Sequence, residues 1–223
     1  MNPLLKVEKI VDLSIPLSSR TPVYPGDPVP TITTAATIGA DGYNLSFLQL
    51  GSHSGTHVDA PYHFRADGPT LDRLPLHAFI GEGVVIDVTG KEPAEPIRAA
   101  DVEPYLEQLA PGKIALIHTG WSDYLGEPRY FQHPYLEAAA VEAMLERGVR
   151  TFLIDALSVD PPDGHTFAAH EKITQCNGVI GENLARFAAI DFAQPWIIAL
   201  PLKIEQGDGS PVRAVAVKFA LTR

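Results

Sequence analysis

The stretch Gly51-Ser52-His53-Ser54-Gly55-Thr56-His57-Val58-Asp59-Ala60-Pro61-Tyr62-His63-Phe64 places three histidines and an aspartate within eleven residues, all at odd positions. On an extended chain, alternate residues share a face. One face then carries His53, Gly55, His57, Asp59, Pro61 and His63, and the other Ser54, Thr56, Val58, Ala60 and Tyr62. A helix sorts them differently. His53 and His57 would share a face, but Asp59 would turn roughly 240° away on a 3.6-residue period. Gly55 and Pro61 also oppose a helix. The segment therefore reads as extended. A straight strand would separate His53 from Asp59 by about 20 Å, whereas ligands to one ion sit about 2 Å from it. The chain must bend, and Gly55 is the residue that permits a turn or bulge.

Imidazole and carboxylate form a mixed nitrogen and oxygen donor set that suits Zn²⁺, Mn²⁺ and other divalent ions. Three protein ligands (His53, His57 and Asp59) leave a position open for solvent, the pattern of a catalytic site. The bland alternative is a cluster of surface histidines near a turn. That explains one histidine readily, but three plus an aspartate on one face poorly.

The flanking sequence reads as a mixed α/β domain. Val7 to Leu13 and Asn44 to Leu50 alternate loosely and read as strands. Gly83–Val88, Lys113–His118 and Arg150–Asp155 are short apolar runs, read as buried strands. Val102 to Leu109 reads as a short helix capped by Asp101, and Pro134 to Arg147 as a longer one stopped by Gly148. Pro195–Ile204 and Val212–Leu221 read as a hairpin around Gly207–Pro211. Between positions 16 and 30, closely spaced prolines forbid both helix and central strand. That loop is either a surface crossover or a lid presenting Tyr24 to a pocket.

The chain has 223 residues, 17 basic against 27 acidic, for a net charge of −10. Its 45% hydrophobic content supports a full core and excludes general disorder. The acidic balance argues against a nucleic-acid partner. Cys176 is the single cysteine, so neither an intrachain disulfide nor a cysteine-pair zinc site is possible. No signal peptide or membrane span is visible, and no linker splits the chain. The expectation is one domain over residues 1–223, cytoplasmic, with no membrane partner.

The run from His53 to Phe64 resembles the HxGTHxDxPxH signature of the cyclase family, which includes bacterial kynurenine formamidases (arylformamidases of tryptophan catabolism) and isatin hydrolases. Asp12-Leu13-Ser14, Tyr24-Pro25-Gly26-Asp27, Thr119-Gly120-Trp121, Asp155 to Asp160 and Pro211-Val212-Arg213-Ala214 match in order. The histidine motif is specific to the family; the other segments are individually weak. The resemblance implies a single mixed-sheet domain of the swivelling β/β/α type. It also implies a second ligand pair, His170 and Glu182, with Asp59 bridging two ions. The residues alone do not select that pair, because His165 and Glu171 compete locally.

The implied activity is metal-dependent hydrolysis of an amide-type C–N bond, with one or two Zn²⁺ or Mn²⁺ ions activating water. The substrate would be a small aromatic amide such as N-formylkynurenine, releasing formate. Ring opening of a cyclic amide such as isatin is the alternative within the class. A ring-closing cyclase and a non-catalytic metal-binding protein are alternatives outside it. His63 is the candidate general acid/base, with a further-ligand or ligand-orienting role as its alternative. Tyr24, Phe47, Phe64 and Trp121 are the candidate substrate-binding aromatics. Formamidases resembling this chain carry Trp in the early Pro-Gly-Asp loop, where this sequence has Tyr24. Family members are commonly homo-oligomers, so a dimer or dimer of dimers is expected, with the Tyr24 loop serving its own subunit or a neighbour.

Overall fold

A computed structural model describes residues 4–222. The strands, in chain order, are β1 (Leu4–Asp12), β2 (Thr31–Ala36), β3 (Leu45–Gln49), β4 (His57–Asp59), β5 (Ile80–Asp87), β6 (Pro96–Ile97) and β7 (Ile114–His118). They continue with β8 (Tyr135–Leu136), β9 (Thr151–Ile154), β10 (Val179–Glu182), β11 (Trp196–Ile198), β12 (Gly209–Pro211) and β13 (Val215–Thr222). The α-helices are α1 (Ile38–Asp41), α2 (Ala99–Val102), α3 (Ala138–Glu146) and α4 (Ala168–Gln175). Nine strands form one mixed sheet in the order β1-β13-β11-β5-β7-β9-β10-β4-β12. Its centre, β5-β7-β9-β10, is parallel, and antiparallel strands flank it on both sides.

Parallel strands are covered on both faces, and these read accordingly. Ala115, Ile117, Phe152 and Ile154 pack beneath the helices with Val141, Met144 and Ile173. Ile114, Leu116 and Leu153 point to the opposite face and pack with Phe79, Phe187 and Ile197. The chain's two ends are tied together. Arg213 grips Asp12 through two hydrogen bonds of 2.8 and 2.6 Å, and the Ala214 N–H donates to Ser14 Oγ at 2.8 Å. Two motifs at opposite ends of the sequence thus meet where the paired strands β1 and β13 adjoin. Among the described residues, no helix is long and apolar enough to cross a membrane.

Several local expectations change. The segment read as a helix over 102–109 is the last residue of α2, Val102, followed by a 3₁₀ helix, Glu103–Gln108. Pro104 lacks the N–H that would continue the α-helical ladder. Asp101 sits inside α2 and accepts the Arg98 N–H at 2.7 Å, rather than standing at the cap. The helix read from Pro134 begins only at Ala138. Before it, the Leu136 and Glu137 N–H groups are already given to Val159 and Ile97 carbonyls. Gly148, at φ +87°, ends that helix as expected. In the C-terminal hairpin, β11 and β13 do pair, but Gly209–Pro211 is no turn. It is the edge strand β12, paired with β4, where a proline is tolerated. The strand read at 44–50 is β3, and its partner β2 lies outside the main sheet.

Candidate metal centre

The ligand segment is extended only over β4, residues His57–Asp59. Its antiparallel register with β10 sets His57 opposite Glu182 and Asp59 opposite Ile180. Directly paired residues share a sheet face, so His57, Asp59 and Glu182 emerge on one side. Helix α4 packs against β10 and the 3₁₀ turn Pro61–His63, and supplies His170. His53 arrives from the turn before β4, where Gly55 takes φ +65°. The expected bend is therefore where the glycine permits it. His63 does not share the extended ribbon: Pro61 starts a 3₁₀ turn that folds it back. Its ring comes to 4.0 Å from the His53 ring.

Two groups of donors meet at one carboxylate. His53, His57 and Asp59 place ligand atoms within 4.8 Å of one another, as do Asp59, His170 and Glu182. His57 Nε2 lies 3.4 Å from Asp59 Oδ1 and 3.6 Å from Glu182 Oε2. His170 Nε2 lies 3.5 Å from both Asp59 Oδ2 and Glu182 Oε1. Asp59 is 1% exposed, yet its Oδ2 has no hydrogen-bond donor. A buried carboxylate oxygen without a donor is costly unless a cation compensates it. The donor set and this orphaned oxygen fit a divalent metal.

Neighbouring groups aim the candidate ligands. His57 Nδ1–H donates to the Gly55 carbonyl at 2.7 Å, leaving Nε2 facing the carboxylates. His170 Nδ1–H donates to Asp160 at 2.5 Å, with the same result. The Val159 N–H donates to Glu182 Oε1 at 2.9 Å. Such outer partners fix imidazole orientation around metals. Burial disfavours the charged form of His53, but Asp59 and Asp208 overcome it and push the imidazole up to about 11. His170 behaves alike: Asp160, Asp59 and Glu182 outweigh burial and push it up to about 10. Burial also opposes the Asp59 charge, but the surrounding imidazoles hold its carboxyl well below the usual range. The site is one that concentrates positive charge.

Beside the donors lies a cavity of about 240 Å³. Tyr24 and Phe64 line it, together with Leu157, Phe167 and Asn183. Phe64 also stacks on His170, with ring centroids 4.5 Å apart. Two of the expected aromatics lie elsewhere. Trp121 is 2% exposed in the core beneath the helices, and its Nε1–H donates to the Arg129 carbonyl. Phe47 is exposed on β3, away from the cavity lining. The local competitors His165 and Glu171 are solvent-exposed and line no part of the cavity. Sequence reasoning missed Asp160 and Asp208, which orient His170 and His53. Asp160 closes a segment that matched the family without assigning it a role, and Asp208 sits in the Gly207–Pro211 segment, 155 residues from His53.

The family described as “Putative cyclase” matches residues 11–161. The chain is 31% identical over 217 residues to a kynurenine formamidase of Bacillus cytotoxicus, covering 95% of this chain and 98% of that protein. It is likewise 31% identical over 214 residues to a kynurenine formamidase of Bacillus cereus, covering 95% and 98%. An isatin hydrolase bound to the product analogue thioisatinate superposes with a TM-score of 0.87 at 25% identity, over 94% of this chain and 92% of that one. Isatin hydrolase A from Labrenzia aggregata gives 0.86 at 25% identity, over 94% and 93%.

Proposed function

The chain belongs to the cyclase family, and from that premise we propose that it is a metal-dependent amidohydrolase of the arylformamidase type. Its substrate would be an N-formyl aryl amine, cleaved at the C–N bond with release of formate. The observation that carries this reading is the buried, donorless Asp59 Oδ2 between two sets of ligands. His53, His57 and Asp59 would hold one ion, and Asp59, His170 and Glu182 a second. Mixed imidazole and carboxylate donors suit Zn²⁺ or Mn²⁺. A divalent cation there would supply Lewis acidity and would lower the pKa of a bound water to about 7.

The chain's own residues do the rest. Tyr24, Phe64, Phe167 and Leu157 offer apolar walls to an aryl group. The cavity, about 240 Å³, falls below the roughly 300–1,000 Å³ of drug-sized sites and fits a small substrate. His63 lines the same cavity and has a partly exposed ring. It would pass a proton to the departing aryl nitrogen, which otherwise leaves as a poor anion.

Ring opening of a cyclic amide is the second reading, favoured by the close superposition on isatin hydrolases. Both reactions need the same donors and differ in whether the carbonyl is tethered to the leaving nitrogen. The test is turnover by zinc- and manganese-loaded protein of N-formylkynurenine, isatin and a cyclic imide. Formate release from the first supports the arylformamidase reading. Isatin opening without formate release favours the second. Metal-loaded protein inactive on all three overturns both.

The expected homo-oligomer finds support in the β2–β3 arm. A two-stranded ribbon is marginal in water by itself, and this one exposes Leu45, Phe47 and Leu48. We propose that a second copy covers it.

A further inference from the structure

We propose that Asp208 is a positioning residue that locks His63 and His53 together and fixes which nitrogen of His63 serves the reaction. The proposal rests on the reading of His63 as the proton-transfer group. Asp208 stands immediately before β12, and its carbonyl accepts the Ala60 N–H at 2.7 Å. The ladder between β12 and β4 continues from there, with Gly209 opposite Asp59. The backbone therefore holds the Asp208 carboxylate against the ligand segment, and one oxygen serves two imidazoles. Oδ2 lies 2.9 Å from His53 Nε2 and 3.5 Å from His63 Nδ1. The two rings lie nearly face to face, 4.0 Å apart at 31°.

The next residue shows that the turn is shaped around these rings. A Cβ on Gly209 would fall 2.6 Å from His53 Cε1 and 3.1 Å from both of its ring nitrogens. Any side chain there would displace the imidazole that Asp208 holds. Asp208-Gly209 thus acts as a unit: the glycine admits the His53 ring and the carboxylate pins it.

The consequence for His63 follows from imidazole chemistry. Its two nitrogens are distinct, and a hydrogen bond at one decides the proton state of the other. A carboxylate 3.5 Å from Nδ1 favours the hydrogen there. Nε2 is then left for the cavity that His63 lines, able to accept a proton and return it. An aspartate holding a histidine in its working tautomer is a general device of hydrolytic sites. Here the same carboxylate also holds a metal ligand, so proton-transfer group and metal site keep a fixed relation.

The experiment compares wild type, Asp208→Asn and Asp208→Glu in zinc-loaded and metal-free forms. It reads zinc content, kcat and KM on the best amide substrate, and the His63 ring ¹⁵N–¹H correlation spectrum. At saturating zinc, Asp208→Asn should load zinc to the wild-type level with a KM within about twofold, and lose about 10- to 100-fold in kcat, the usual cost of losing such a partner. The His63 spectrum should move from the Nδ1–H to the Nε2–H tautomer. Asp208→Glu should keep the wild-type tautomer and more of the rate. An unchanged tautomer in Asp208→Asn overturns the proposal. So does zinc lost in step with activity, which would make Asp208 a residue of the metal site alone. If wild type turns over no amide, the proposed function fails, while the tautomer comparison still decides the role of Asp208.

Discussion

Asp160 holds His170 from two directions. Its Oδ2 accepts the imidazole Nδ1–H at 2.5 Å, and its two oxygens also accept the backbone N–H groups of Ala169 and His170 at 2.7 and 3.2 Å. One carboxylate therefore satisfies the first turn of α4 and aims a candidate ligand of the second donor group. Helix position and ligand orientation are fixed by the same side chain.

Replacing Asp160 separates these roles. Asp160→Asn keeps a side chain able to accept N–H groups at the helix start but loses the charged partner of His170. Metal affinity is expected to fall about 10- to 100-fold, measured by titration against a competing chelator. Asp160→Ala should add a stability loss of about 1 kcal/mol for the lost cap, read by denaturant unfolding.

Gly209→Ala tests the packing of His53. The added methyl would meet the His53 ring at 2.6 Å, so the ring must leave its place beside Asp59. Metal affinity should drop by about tenfold or more, and the metal-free protein should lose stability as well, because the displaced imidazole gives up Asp59 and Asp208. Retained affinity would mean that His53 is not held as described.

Asp155 is a stability residue in the same region. Its side chain is fully buried and accepts hydrogen bonds from Thr119 N, Thr119 Oγ1 and Gly120 N at 2.7, 2.7 and 2.9 Å. Asp155→Ala strands these donors, at about 1–3 kcal/mol each. The melting temperature should fall by on the order of 10 °C at about 2–4 °C per kcal/mol. Asp155→Asn, which keeps one acceptor oxygen, should fall less.

The pH dependence of stability should differ between metal-free and metal-loaded protein. In the metal-free protein, Asp59, Asp160, Asp208 and Glu182 raise His53 to about 11 and His170 to about 10 against the pull of burial. Their ordinary value is about 6.5. A raised pKa contributes stability that is complete below the ordinary value and disappears as pH climbs through the raised one. The metal-free protein should therefore lose stability between about pH 6.5 and 11. Metal competes with these protons, so its binding strengthens over the same interval. The gap between metal-loaded and metal-free melting temperatures should widen from pH 6.5 to 9. A constant gap would show that these imidazoles are not the ligands.

Much of this architecture was legible because its signals are local. The runs Ile114–His118 and Thr151–Ile154 are apolar throughout, as strands buried on both faces must be. Gly55 marked the bend beside three candidate ligands. Illegible features depend on long-range pairing. Gly209–Pro211 carries strong turn residues, yet its backbone is drawn into a ladder with β4. Trp121 lies next to a loop motif but is claimed by the core. His170 and Glu182 required the family resemblance, because what joins them to Asp59 is the register of β10 on β4 and the docking of α4.

The most direct measurement is elemental analysis of untagged protein, paired with amide turnover, for wild type, Asp59→Asn and His63→Ala. Wild type should carry a divalent transition metal and hydrolyse the substrate. Asp59→Asn should lose metal and activity together, and His63→Ala should keep its metal and lose most of its turnover. Metal bound equally well by Asp59→Asn, or absent from wild type even after incubation with zinc or manganese, would contradict the account.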